Sequence, residues 1–116
     1  MATLVITPRQ AVEQVQQTLA LSDSDLAYLL SSSPRTLNRW RMSETYPQHE
    51  ARERLALLVA LADHLTETFL TEEASHTWLS TGNRYLGGFT PADAIRAGRF
   101  DRVEAALGAL DTGIFL

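Results

Sequence analysis

Three histidines, His49, His64 and His76, are the side chains in this sequence best suited to acid–base or metal chemistry. None falls in an H-E-x-x-H pattern or any other ligand spacing, so all three read as isolated surface residues. Ser31–Ser33 lack a nearby base and suit a turn and a helix cap better than a nucleophile. Gly87-Gly88 is not followed by the K-[ST] of a phosphate-binding loop and reads as a turn. Glu72-Glu73 could be a carboxylate pair, but both fall in the first turn of a predicted helix, where the macrodipole favours acids. Tyr28, Trp40, Tyr85 and Phe89 read as packing residues. The chain has no cysteine, which removes thiolate chemistry and disulfides and fits a reducing cytoplasm. These residues predict no catalysis, no metal and no cofactor, and a protein that is not an enzyme.

Binding chemistry is better represented. Arg35, Arg39 and Arg41 lie between Pro34 and Met42 with no acid among them, whereas the whole chain carries a net charge of −4. All ten basic residues are arginine, which genome composition alone can produce. Acids gather around Asp23–Asp25, Asp63–Glu73 and Asp101–Asp111. A local basic face on an acidic body is compatible with DNA contact at one surface. The 116 residues, 45% of them hydrophobic, suffice for one domain or two small helical units sharing a core. No stretch has the length of a membrane span or the layout of a signal peptide, so neither membrane insertion nor export is expected.

The elements that must position these residues are helical throughout. Thr7-Pro8 opens a first helix with Val12, Val15 and Leu19 on one stripe. Ser22 with Asp25 caps a second that buries Leu26, Leu29 and Leu30. Ser33-Pro34 starts a third, and Pro47 ends the loop after it. From about Gln48 to Leu70 a long helix carries Leu55, Leu58, Val59, Ala62, Leu65 and Phe69. Thr71 starts a short helix through Trp78, followed by the turn-rich loop STGNRYLGG. Thr90-Pro91 opens another helix, which Gly98 closes in a left-handed conformation. The last runs from Arg99 to Leu110, with Val103, Ala106, Leu107 and Leu110 inward, and Gly113 stops it. No β alternation persists; the fold class is all-α.

The stretch DSDLAYLLSSSPRTLNRWR sets two short helices about a tight turn, with Ala27 small at the crossing and Leu30, Leu37 and Trp40 between them. Arg35, Thr36, Asn38, Arg39 and Arg41 then point outward, where arginine can take guanine or phosphate and asparagine can take adenine. Ser33 and the helix start can hold a phosphate. A plain helical hairpin with solvated arginines fits the same pattern. The arrangement L-A-x-L-L…S-P-R-T-L-x-R-W resembles Xre-type repressors over Leu21 to Pro47, although Ser31 or Ser32 stands where that family often has glycine.

The C-terminal stretch, from Trp78-Leu79 through Asn83–Leu86, Thr90-Pro91, Ile95, Gly98, Arg102-Val103 and Leu107 to Gly113, is similar to the toxin-binding domain of the MbcA/ParS/Xre antitoxin family, partners of RES-domain toxins. Physically most of these are caps, helix stops and core residues. The resemblance implies a helix-turn-helix part over 1–47, a connecting helix over 48–70 and a toxin-binding part over 71–116. It implies a cytoplasmic antitoxin, homodimeric on its operator DNA, which represses its own operon and occludes an NAD⁺-consuming toxin. Trp78, Asn83, Arg84, Gly113, Ile114, Phe115 and Leu116 are the expected toxin contacts, the last four reaching into the toxin's cleft. Burying three such apolar side chains gains about 1.5–3 kcal/mol each before ordering costs; the same run could instead fold onto its own helices. A free-standing Xre-type regulator that uses its C-terminal half to dimerise, and an adaptor with no DNA role, are the alternatives.

Overall fold

Short polar residues set the helix starts. A computed structural model describes residues 6–113, and in it Thr7, Ser22, Ser33, Thr71 and Thr90 each accept a backbone N–H three residues on. Thr7 with Gln10 and Ser22 with Asp25 close reciprocal capping boxes. Each such cap contributes about 1 kcal/mol. The helices are α1 (Pro8–Leu19), α2 (Asp23–Leu29), α3 (Pro34–Arg41), α4 (His49–Thr68), α5 (Glu72–Leu79), α6 (Pro91–Arg96) and α7 (Phe100–Thr112), with a 3₁₀ turn at Arg84–Leu86. The chain is all-α, and the described residues contain no strand.

Helix ends depart from the expected glycine stops. Gly98 is left-handed as predicted and Gly113 stops α7 as predicted, also left-handed, but so are Ala20, Ser31 and Ser43, at φ 55°, 52° and 62°. After α2 the Ser32 N–H donates to the Ala27 carbonyl and the Ser31 N–H to that of Tyr28. The ends of α3 and α6 repeat that pair of bonds around Ser43 and Gly98. This is the Schellman stop, run here with a Cβ at two of those three left-handed positions.

α4 is the axis of the packing. It lies against α1 on one side and α7 on another, while α1 also touches α3 and α5. Two covered sides require a broad apolar face, so Leu61, outside the expected stripe, is fully buried beside Leu55, Leu58, Ala62 and Leu65, while Val59 and Phe69 are only partly buried. One continuous core joins Val12, Val15 and Leu19 of α1 to Leu26, Leu37 and Trp40, and onward to Ile95, Val103 and Leu107.

Two helix ends differ from expectation. α4 stops at Thr68, because Phe69 turns to an extended conformation and sets its ring 5.9 Å from that of Trp78. α7 runs two residues beyond Leu110, where side chains of α4 hold Asp111. The expected loop over residues 80–88 contains the 3₁₀ turn.

Candidate functional site

α3 presents Arg35, Asn38 and Arg39, all exposed, on one face at i, i+3 and i+4 spacing. Ser33 and Thr36 are engaged with each other: the Ser33 Oγ accepts the Thr36 N–H at 3.1 Å and donates to Thr36 Oγ1 at 3.1 Å. Arg39 meets Glu44 only loosely, at 3.7 Å, with both side chains more than half exposed. Arg41 does not point outward as expected. Its Nη2 reaches Gln16 at 2.7 Å and Asp23 at 3.0 Å, which ties α3 to α1 and to the start of α2. A hydrogen bond from Gln16, and then one from Arg41, hold the Asp23 carboxyl below its usual pKa. Arg41 therefore braces the arginine face more than it extends it.

The other expected contact residues lie on separate elements after α4. Trp78 is partly buried against Phe69. Asn83 organises its own loop: its side chain accepts the Tyr85 N–H at 2.8 Å, and its backbone bonds to Phe89 and Gly88. Gly82 is required there, since a Cβ would lie 2.9 Å from the Gly88 carbonyl oxygen. Arg84 is exposed at the start of the 3₁₀ turn. Gly113, at φ 72°, ends α7. Ile114, Phe115 and Leu116 lie outside the described residues.

Sequence reasoning missed a groove beside this loop. A cavity of about 560 Å³ is lined by Leu86, Phe89, Ala94 and Ala97 together with Arg99 and Arg102. Phe89 and Tyr28, expected to pack, are 67% and 76% exposed. Phe89 is carried by the loop as it leaves for the Thr90 cap, and Tyr28 faces away from Leu26, Leu29 and Leu30 on its short helix.

Long-range polar contacts tie the two surfaces together. Arg96 on α6 reaches Asp25 on α2 at 3.3 Å, and Arg54 on α4 donates to the Leu29 carbonyl at 2.9 Å. His64, expected to be isolated, is clasped: Nδ1 stands 2.6 Å from Glu104 and Nε2 2.6 Å from Asp111. Partial burial pushes its pKa down, but hydrogen bonds to Asp111 and Glu104 outweigh that and raise it above 6.5. These partners stand 40 and 47 residues away, so no local pattern could have announced them.

Among the described residues, no group of three or more histidines and acids could hold a metal ion, and no helix is long and apolar enough to cross a membrane. What the fold and its surfaces define is an all-α protein with an exposed arginine face on α3 and a groove beside the Leu86–Phe89 loop. The chain belongs to the Xre/MbcA/ParS antitoxin family. Residues 64–113 match the C-terminal toxin-binding domain of the Xre/MbcA/ParS antitoxins. The mycobacterial cidal antitoxin MbcA of Mycobacterium tuberculosis is 33% identical over 98 residues, covering 84% of this chain and 86% of that protein. MbcA of Mycobacterium bovis matches to the same extent. In the crystal structure of the M. tuberculosis MbcT–MbcA toxin–antitoxin complex, one chain aligns with a TM-score of 0.70 at 29% identity, over 97% of this chain and 100% of that one. The protein is thus an antitoxin and not an enzyme.

Proposed function

We propose that this antitoxin neutralises a cognate RES-domain toxin by placing residues 113–116 in the toxin's NAD⁺ cleft, and that α3 represses the operon of the pair. The observation that carries the reading is the likeness, along nearly the whole chain, to one chain of a toxin–antitoxin complex. The geometry of α7 supports it: the helix is packed on α4 and α6 and delivers Gly113 as a left-handed exit into the apolar run Ile114–Leu116. In this reading residues 1–47 contact operator DNA, 48–70 connect, and 71–116 hold the toxin, all in the cytoplasm. α3 offers only Arg35 and Arg39 as exposed arginines, on a chain of net charge −4, so firm operator binding requires a homodimer or the toxin complex, with half-sites about 34 Å apart.

The test is co-expression with the neighbouring gene while cellular NAD⁺ is measured, using the full chain and a version ending at Gly113. The expected result is that the full chain keeps NAD⁺ high and the shortened one does not. Equal protection by both would move toxin binding to the helices. No fall in NAD⁺ with the neighbour alone would remove the NAD⁺-consuming partner.

A further inference from the structure

Asp111 sits in the last turn of α7, the end of a helix where the macrodipole disfavours an acid, and that turn carries no basic residue of its own. Its carboxylate is nevertheless fully engaged from α4. Oδ2 meets His64 Nε2 at 2.6 Å, and Oδ1 accepts from the Thr68 hydroxyl at 2.8 Å. The other ring nitrogen, Nδ1, meets Glu104 at 2.6 Å. Glu104 and Asp111 are seven residues apart on α7 and therefore share one face, so a single ring spans two turns of the helix. Only an imidazolium has two N–H groups to donate; a neutral ring turns a lone pair toward one of the carboxylates.

We propose that His64 is a positioning residue: as an imidazolium clasped by Glu104 and Asp111 it fixes the last turn of α7, and so aims residues 113–116 at the toxin. The proposal rests on the toxin-binding reading above. Asp111 lies two residues before the left-handed exit at Gly113, so whatever holds Asp111 sets the direction in which the chain departs. When the ring proton is lost, one of the two bonds is lost with it, and the ring holds α7 at one acid in place of two, which loosens its last turn.

The surroundings leave the ring's charge to these two acids. α7 supplies Glu104 and Asp111. α1 bonds Asp63 of α4 through Gln14 and Glu72 of α5 through Gln17. His76 of α5 bonds the Gln17 carbonyl. On α4 itself Asp63 is thus held from α1, and Glu67 is exposed. Bonds to Asp111 and Glu104 favour the charged ring, and the bond from His64 holds Asp111 below its ordinary 3.8. The clasp is therefore closed below the ordinary histidine value of 6.5 and opens as pH rises through the raised His64 value.

The test has two arms. In the free full-length chain, NMR follows the His64 ring and the exchange of the 111–113 amides across neutral pH. His64 should stay charged above the ordinary histidine value of 6.5, and amide protection should fall about tenfold as it titrates, the scale of one charge-assisted hydrogen bond. In the second arm, affinity for the purified toxin is compared between wild type, His64→Gln, His64→Arg and His76→Gln at each pH, so that titration of the toxin cancels in the ratios. His64→Gln should weaken binding about tenfold at low pH and converge with wild type at high pH. His64→Arg, a permanent cation with a two-pronged donor, should restore binding without the pH dependence, and His76→Gln should follow wild type. Asp111→Asn gives a second route to the same loss if His64→Gln fails to fold. A His64→Gln profile parallel to wild type, with loss of toxin binding on removing residues 114–116, overturns the clasp and leaves the tail reading standing. Full toxin binding without residues 114–116 overturns both.

Discussion

Arginines on one short helix carry different duties, and the difference is a matter of partners. Arg35 is exposed, and Arg39 shares only a loose pair with Glu44 in solvent, an interaction worth about 0–1 kcal/mol. Arg41, with its side chain 23% accessible, closes a three-way contact with Gln16 and Asp23. Replacing Arg35 and Arg39 by alanine is expected to leave the melting temperature unchanged while abolishing retention of promoter DNA in gel shifts. The log–log salt slope should become shallower by about one for each phosphate that is no longer neutralised. Arg41→Ala should instead lower stability by about 1 kcal/mol, seen as an earlier urea midpoint. If Arg41→Ala leaves the midpoint in place, the bracing role assigned to it is wrong.

At the scale of the element, the helices begin by the rules and end by exception. Ala20, Ser31 and Ser43 hold left-handed conformations without being glycine, at a cost of about 1 kcal/mol each. Ser31→Gly and Ser43→Gly are accordingly expected to stabilise the chain by about 0.5–1 kcal/mol apiece, read as a rise of a few degrees in thermal unfolding. A fall in melting temperature would mean that the hydroxyls supply bonds the backbone geometry does not show. These same positions mark what the sequence disclosed. Helix starts were legible, because a Ser or Thr followed by Pro or an acid is a local chemical signal, as at Thr7, Ser22, Ser33 and Thr90. Stops were legible at Gly98 and Gly113 and invisible at Ala20, because only glycine advertises a left-handed residue. The resemblance flagged Ser31 or Ser32 as glycine's usual place, and Ser31 takes the glycine-like conformation. The His64 clasp and the Arg96–Asp25 pair were not legible at all, since each depends on helices far apart in the chain meeting in space.

Taken whole, the molecule places its two surfaces on one core. α1 lies against α3, α4 and α5, Arg54 and Arg96 tie α2 to α4 and α6, and the buried residues form one continuous cluster from Ala11 to Leu107. Trp40 on α3 and Trp78 on α5 each report one side. With one tryptophan at a time replaced by phenylalanine, the fluorescence transitions in urea are expected to coincide with each other and with the loss of helical circular dichroism. Two separated midpoints would mean that the halves unfold independently.

That shared core gives the two proposed activities a common lifetime. If the chain unfolds as one unit, a protease is left no folded half, and in the proposed reading a single turnover event frees the promoter and the toxin together. Expression of a replacement then begins at the moment the poison is released, and the delay before a new copy folds becomes the interval for which the cell is exposed.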